Sequence, residues 1–264
     1  MLERFRKAQE PAIARLNALH GRGELPAPRP SVRPPFAERL VRKGPGAVIA
    51  EYKRASPSRG AINLSASPEE IAAAYAEAGA SALSVLTEET YFQGGMSYLE
   101  RMTESGLPLL RKDFLVHPLQ VVETAASPAS ALLLIARMLD ISTFVEMLGQ
   151  ARQAGLETVL EVFDEEDLRK VRAVLVITGH QPVIIQVNSR NLQTLRVDDT
   201  LTRTLIRDKQ EGEVWIAASG ISSREQVEER ARLGFDAVLV GSSLMECPDP
   251  GEALAALTGK GKQP

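Results

Sequence analysis

Four charged side chains stand at the ends of short apolar runs in this chain of 264 residues. Glu51 and Lys53 close "AVIAEYK", Lys112 follows "LPLLR", and Glu161 sits within "TVLEVFDEE". Residues two apart on a strand share a face, so Glu51 and Lys53 point the same way, Lys112 follows Leu110 and Glu161 follows Val159. On strands buried on both faces that direction is inward. Burying an ion is costly unless it is paired. Two lysines and two glutamates offset one another and can hold shifted pKa values, as proton-transfer groups do. The chemistry such a set fits is general acid–base catalysis on a small substrate. Salt bridges that staple strand ends are the bland alternative, and the convergence of four ions from three strands weighs against it. A further run, "IIQVNSRNL", ends in Asn188 and then Arg190.

Two short turns complement the ions. "ASGIS" contains Ser219 and Gly220, and "GSSLM" contains Gly241 and Ser242. Small residues just before a helix expose backbone N–H groups, which suits an anion such as a phosphate. Ser56 and Ser58 of "ASPSRG" add hydroxyl donors from a third turn. Phe92, Phe114 and Leu133 lie at or just beyond run ends, where they wall an aromatic pocket or serve as core packing.

Eight elements must bring these groups together. β-Rich apolar runs recur at 47–52, 82–86, 108–111, 131–135, 158–162, 183–187, 214–217 and 237–240. Helical stretches separate them, at 68–78, 97–105, 117–126, 142–154, 165–174, 200–209 and 223–233. Several helices close on a glycine just before the next run, as in "EAGASAL", "QAGLETV" and "RLGFDAV", where glycine supplies the left-handed residue that ends a helix. Eight near-even strand–helix units predict a (β/α)8 TIM barrel of the α/β class, with its chemistry at the carboxyl ends of the strands. An open doubly wound sheet is the competitor, and no Gly-x-Gly-x-x-Gly follows the first run. The first twenty residues have an apolar spacing near 3.6, with Pro11 placed to kink or divide the helix. "GRGELPAPRPSVRPP" then predicts an extended linker, and a short helix spans 36–42. The expected organisation is one domain over 1–264, with an N-terminal helical extension and linker (1–45) and a barrel (46–260).

Composition narrows the partners. Hydrophobic residues make up 44% of the chain and charged residues 25%, with a net charge of −3, as in an ordinary globular protein. That argues against nucleic acid or a membrane surface as partner. The apolar run 131–136 is too short to span a bilayer, and the N-terminus lacks the apolar segment of a secretory signal. A single cysteine, Cys247, allows no internal disulfide and points to the reducing cytoplasm. His20, His117 and His180 have no ligand spacing to one another, and Asp113 has no second acid beside it in sequence, so no metal is expected. Glu69, Glu70 and the acidic run 164–167 fit solvated helix starts. The expected partner is a small phosphorylated molecule. A monomer is the working expectation, though the sequence does not fix the oligomeric state.

Together "IAEYKRASPSRG", "SVLTEETYFQGG", "LPLLRKDFLVHPLQ", "LLLIA", "LEVFDEEDL", "VNSRNL" and "VGSSLM" resemble the indole-3-glycerol-phosphate synthases, from about Phe36 to the last helix. The resemblance implies ring closure of 1-(2-carboxyphenylamino)-1-deoxyribulose 5-phosphate with loss of carbon dioxide and water, using no cofactor. It implies Lys112 as general acid, Glu161 as acid/base partner, Lys53 on the substrate carboxylate with Glu51 tuning it, and Asn188 as an active-site amide. It places Ser56, Gly220, Gly241 and Ser242 in a phosphate cradle and Phe92, Phe114 and Leu133 in an aromatic pocket.

The chain also departs from the pattern. The usual Glu-Ser-Gly of the seventh strand is Ala218-Ser219-Gly220, Asn-Asn-Arg is Asn188-Ser189-Arg190, and the Asp that opens the fourth strand is Ser130. Tyr52 replaces an aliphatic residue and is expected to face the helices. Losing the acid at 218 should leave Lys53 and Lys112 less compensated, with lower pKa values if no other acid replaces it. The expectation is a binding-competent barrel with reduced or altered turnover. The alternatives are a paralogous lyase for a related phosphorylated amino-sugar and a non-catalytic phosphate-binding barrel.

Overall fold

The eight apolar runs form eight parallel strands that close into a barrel. The computed structural model describes residues 2–29, 32–190 and 197–260. The strands are β1 (Ala47–Tyr52), β2 (Ala82–Leu86), β3 (Leu109–Lys112), β4 (Ala131–Ile135), β5 (Glu157–Val162), β6 (Ile184–Asn188), β7 (Val214–Ala218) and β8 (Ala237–Val240). β8 closes the cylinder on β1, with Ala47 to Ala50 in register with Ala237 to Val240. Ahead of them lie α1 (Leu2–Ala8), α2 (Glu10–Gly21) and α3 (Phe36–Lys43). The connecting and final helices are α4 (Pro68–Glu77), α5 (Ser97–Arg101), α6 (Pro118–Ala125), α7 (Ile141–Gln153), α8 (Glu165–Thr178), α9 (Asp199–Leu205), α10 (Arg224–Leu233), α11 (Ser242–Met245) and α12 (Pro250–Thr258). Among the described residues no helix is long and apolar enough to cross a membrane.

Alternation along each strand sorts the buried side chains into two layers. Ala47, Ile49, Leu110, Leu133, Val159, Ile184 and Ile216 fill the barrel interior. Val48, Ala50, Tyr52, Leu83, Val85, Leu132 and Ile185 face outward and pack in a second cluster with helix residues such as Tyr75 and Phe144. Tyr52 is outward, as expected. Its hydroxyl donates to Ala66 O at 2.8 Å, its ring meets Tyr98 edge-on, and burial pushes its pKa up to about 12.

Helix α3 seals the amino-terminal end of the barrel, with Phe36 and Leu40 fully buried in the inner cluster. Pro35 at its N-cap offers no side-chain cap. Glu157, the inward residue that opens β5, supplies one: its carboxylate accepts from Phe36 N at 2.6 Å and Ala37 N at 2.9 Å. Carboxylates suit helix N-termini for this reason.

Several expectations shift. β6 runs one residue beyond the predicted run because Asn188 pairs with Ala218 in the ladder, so Asn188 belongs to the strand rather than to the loop after it. The stretches 97–105 and 200–209 each break into an α-helix and a 3₁₀ turn. Pro11 divides the first helical region, standing in the first turn of α2, with the break at Gln9. A two-residue ribbon, Ala55–Ser56 against Gly60–Ala61, follows β1 and was not expected. The acidic run after β5 is not wholly solvated. Asp167 is buried, pairs with Arg137 at 2.6 Å and accepts from Phe163 N at 2.9 Å.

Candidate active site

A cavity of about 390 Å³ opens at the carboxyl ends of the strands. Every site residue singled out in the sequence lines it: Glu51, Lys53, Ser56, Phe92, Lys112, Phe114, Leu133, Glu161, Asn188, Arg190, Ser219, Gly220, Gly241 and Ser242.

The ions are arranged around Glu51. Its Oε1 lies 2.9 Å from Lys53 Nζ and its Oε2 lies 3.5 Å from Lys112 Nζ. Ser84, inward on the neighbouring β2, donates to Oε2 at 3.4 Å. Burial pushes the Glu51 carboxyl up, but the two ammonium groups outweigh it and hold the carboxyl below its ordinary range. Burial likewise pulls the Lys112 ammonium down, and the charges of Glu51 and Glu161 outweigh it, so its pKa stands above the ordinary value. These two acids thus supply compensating charge beside Lys112 in a pocket that carries Ala218. Glu51 sits between the two lysines, and Glu161 supplies the second negative charge across the barrel.

Glu161 is set apart from this cluster. Burial raises its pKa, against the charge of Lys112 and the hydrogen bonds of Gln186 and Asn188, and the charge of Glu51 adds to the rise. Its Oε2 accepts from Asn188 Nδ2 at 3.2 Å and from Gln186 Nε2. Asn188 is held in turn: its Oδ1 accepts from Ser219 Oγ at 2.9 Å and from Arg190 N at 3.0 Å.

Backbone geometry builds the opposite wall. Ser219 and Gly220 both adopt positive φ, 75° and 74°. For serine this is an unusual conformation, anchored here by its hydroxyl bond to Asn188. A Cβ at Gly220 would overlap Val197 Cγ1, and one at Gly241 would overlap Glu51 Oε1 and stand 2.9 Å from its Cδ. Gly241 is thus where the turn after β8 touches the ion cluster. Ala218 is buried between these walls, in register with Asn188 and Leu239.

The aromatic wall also has a visible construction. Glu88, raised in pKa by burial, takes N–H groups from Thr90 (2.9 Å), Tyr91 (2.7 Å) and Phe92 (3.0 Å), curling the loop after β2 so that Phe92 faces the cavity. Gly94 is required there, because a Cβ would overlap Leu86 O and lie 2.8 Å from Glu88 O. Among the described residues no group of three or more His, Cys, Asp or Glu could hold a metal ion. Asp113 accepts from Gln9 Nε2 (3.0 Å), Thr87 Oγ1 (2.5 Å) and Phe114 N (2.8 Å), tying the α1–α2 junction to β3.

Residues 3–257 match the sequence model of a family described as indole-3-glycerol phosphate synthase. The chain belongs to the indole-3-glycerol phosphate synthase family. Relatives of that name are 42% identical over 217 residues in Nautilia profundicola, covering 82% of this chain and 81% of the relative, and 39% identical over 230 residues in Salinibacter ruber, covering 86% and 83%. A third, from Desulfosudis oleivorans, is 39% identical over 219 residues and covers 81% of each chain. Among solved structures, 3-hexulose-6-phosphate synthase from Salmonella typhimurium matches with a TM-score of 0.62 at 17% identity, covering 81% of this chain and 97% of that one. Orotidine 5'-phosphate decarboxylase from Pyrococcus horikoshii OT3 gives 0.57 at 14% identity, covering 82% and 100%. At such identities the likeness shows the barrel alone.

In this indole-3-glycerol phosphate synthase family member the residues around the site that escaped the sequence include Phe5 and Gln186. Phe5 of α1 lines the cavity and stacks on Phe114, with centroids 4.0 Å apart and planes within 6°. The helical period marked Phe5 as apolar but could not name its partner. Gln186 was legible in principle: it is inward with Ile184 and Asn188 on β6, and a polar residue in that position needs a partner.

Proposed function

We propose that this barrel closes the indole ring of 1-(2-carboxyphenylamino)-1-deoxyribulose 5-phosphate, releasing carbon dioxide and water to give indole-3-glycerol phosphate. The observation that carries it is one cavity in which Lys112 is ion-paired to Glu51, while Glu161, two strands along the barrel, is held by amides rather than by an ion pair.

The reaction needs proton donors and a base that do not neutralise each other. Attack of the carboxylate-bearing ring carbon on the ketone forms the new carbon–carbon bond and places negative charge on the ketone oxygen. Lys112, kept charged by Glu51 and Glu161, protonates that oxygen. Loss of carbon dioxide returns the bonding electrons to the ring and restores its aromaticity. The hydroxyl then leaves as water with a proton from an ammonium group, while Glu161 takes a proton from the neighbouring carbon. Lys53 holds the substrate carboxylate, and Glu51 pairs with both lysines and holds them in place. Asn188 fixes Glu161. The phosphate binds at the Ser56, Ser219–Gly220 and Gly241–Ser242 turns, and Arg190 closes the polar side. The aromatic ring lies among Phe92, Phe114 and Leu133.

Ala218 favours a second reading on one point, since this wall carries no acid to share the dehydration. The test is the fluorescence of indole product formed by the wild type, Lys112→Ala and Ala218→Glu. Product formation by the wild type at least about a hundredfold above Lys112→Ala supports ring closure by a lysine acid. Equal rates refute it. A large gain in Ala218→Glu would mean that the alanine limits turnover.

A further inference from the structure

Two amides face Glu161, and they are not equivalent. Asn188 donates to Oε2, and its own oxygen is committed to Ser219 Oγ and Arg190 N. Turning that amide over would break both. Gln186 donates to the same Oε2, is fully buried, and its Oε1 has no hydrogen-bond partner among the described residues. A buried acceptor without a partner is a standing cost in most folds. Here it stands on the strand beside Glu161, with Gln186 and Glu161 in register in the β5–β6 ladder.

An acid/base carboxyl must be tolerated in two forms. The ionised form needs donors, and both amides supply one. The protonated form carries an O–H that needs an acceptor. Half a turn about the last side-chain torsion of Gln186 exchanges its NH2 and its oxygen and leaves the backbone where it is. We propose that Gln186 is a positioning residue for Glu161, donating to the carboxylate and, with its amide reversed, accepting from the carboxylic acid. Asn188 is the fixed donor and Gln186 the adjustable one. The charged groups facing Glu161 are Lys112 of β3, Glu51 and Lys53 of β1, and Arg190 just after β6, while β4 presents Leu133 and Ile135. None of these offers an acceptor for a protonated Glu161 other than Glu51, which the two lysines occupy.

The inference rests on the acid/base role proposed for Glu161. Gln186→Met keeps the length and removes both functions. In the ring-closure assay kcat should fall about 10- to 100-fold, as for loss of one hydrogen bond to a charged group, with KM changed by less than about threefold. The limb of the pH profile governed by Glu161 should move to higher pH, because the charge-assisted bond lost from the ionised form is stronger than the neutral bond lost from the acid. In a Glu161→Gln background the same substitution should have no further effect on kcat. An unmoved profile, or the same loss in both backgrounds, overturns the proposal. Infrared titration of the Glu161 carboxyl, taken as wild type minus Glu161→Gln, is independent of turnover: its midpoint must rise in Gln186→Met. If the wild type makes no product, the function proposed above fails while this titration still decides the role of Gln186. The wild type itself gives a measurement that survives a poorly folding variant. In protein labelled with ¹⁵N-glutamine, the Gln186 amide resonances must titrate with the Glu161 midpoint and cease to do so in Glu161→Gln. Resonances that do not titrate overturn the proposal.

Discussion

Strand β5 carries one inward glutamate at each end of the barrel, and burial raises the pKa of both. At the amino-terminal end Glu157 is bound by two backbone N–H groups of α3, which cannot turn or exchange. At the carboxyl end Glu161 is bound by two side-chain amides and faces Lys112 through space. The difference lies in the partners rather than in the direction of the shift. Fixed backbone donors make a helix cap, whereas one adjustable side-chain donor, opposite a cation, suits the proton-transfer role proposed for Glu161. A raised pKa alone does not mark a catalytic carboxyl, since structural groups share it.

The largest effect should follow from removing the proton-transfer capacity at the upper end alone. Glu161→Gln preserves shape and is expected to lower kcat by about 10²–10⁴-fold, the usual contribution of a general acid or base. Its melting temperature at neutral pH should not fall. A variant with near-normal kcat would make Glu161 a structural group like Glu157 and erase the contrast between the ends.

Gly241→Ala attacks the same end through the backbone. The added methyl would overlap Glu51 Oε1, and the backbone of β8 and the side chain of Glu51 cannot both stay in place. Displacing Glu51 breaks its pairs with Lys53 and Lys112. A fall in kcat/KM of roughly 10- to 100-fold is expected, since a misplacement of about 1 Å in an active site has that order of cost. Steady-state kinetics with full activity would show that the turn after β8 yields without moving the ions.

Glu157→Ala tests the lower end. Losing a helix N-cap costs about 0.5–2 kcal/mol, and leaving the Phe36 and Ala37 N–H groups without their acceptor places the loss at the upper part of that range. Urea unfolding should show this loss, while kcat of the folded enzyme stays within about twofold of wild type. A large kcat defect in the folded protein would mean that the two ends of β5 are coupled.

The barrel was legible because each strand is buried on both faces and each helix follows at near-even spacing, a pattern that few folds produce. The ions were legible because charge at an inward position conflicts with burial, so Glu51, Lys53, Lys112 and Glu161 stood out without any knowledge of their partners. What escaped depended on contacts between distant segments. Phe5 meets Phe114 across most of the N-terminal half of the chain, and a helical period says nothing of that. Gln186 escaped because it is neutral and charge was the criterion, although its place beside Asn188 was fixed by the period of two. The rise in the Lys112 pKa could not be foreseen from residue counts. It needs the geometry in which Glu51 reaches both lysines and Glu161 faces them. Asp167 was misjudged because its partner, Arg137, comes from the loop after β4.

The smallest expected effect concerns stability and pH, and its sign follows from the same contrast. The folded state holds the Glu161 proton at a raised pKa, while the unfolded chain releases it in the ordinary carboxylate range. Below that range both states are protonated, and the contribution of this proton to stability is complete. As pH rises through the folded pKa the native barrel must ionise a buried carboxyl, and the contribution is lost. Glu161→Gln cannot titrate, so the melting temperature of the variant minus that of the wild type should increase as pH rises from the unfolded carboxylate range through the folded pKa, and level off beyond it. Glu157 is unchanged in both proteins, and its own raised pKa therefore cancels in the difference. A flat difference across that window would mean that Lys112, Gln186 and Asn188 compensate the ionised Glu161 as fully as water does, and the upper end of β5 would then differ from the lower end in its partners but not in its energetics.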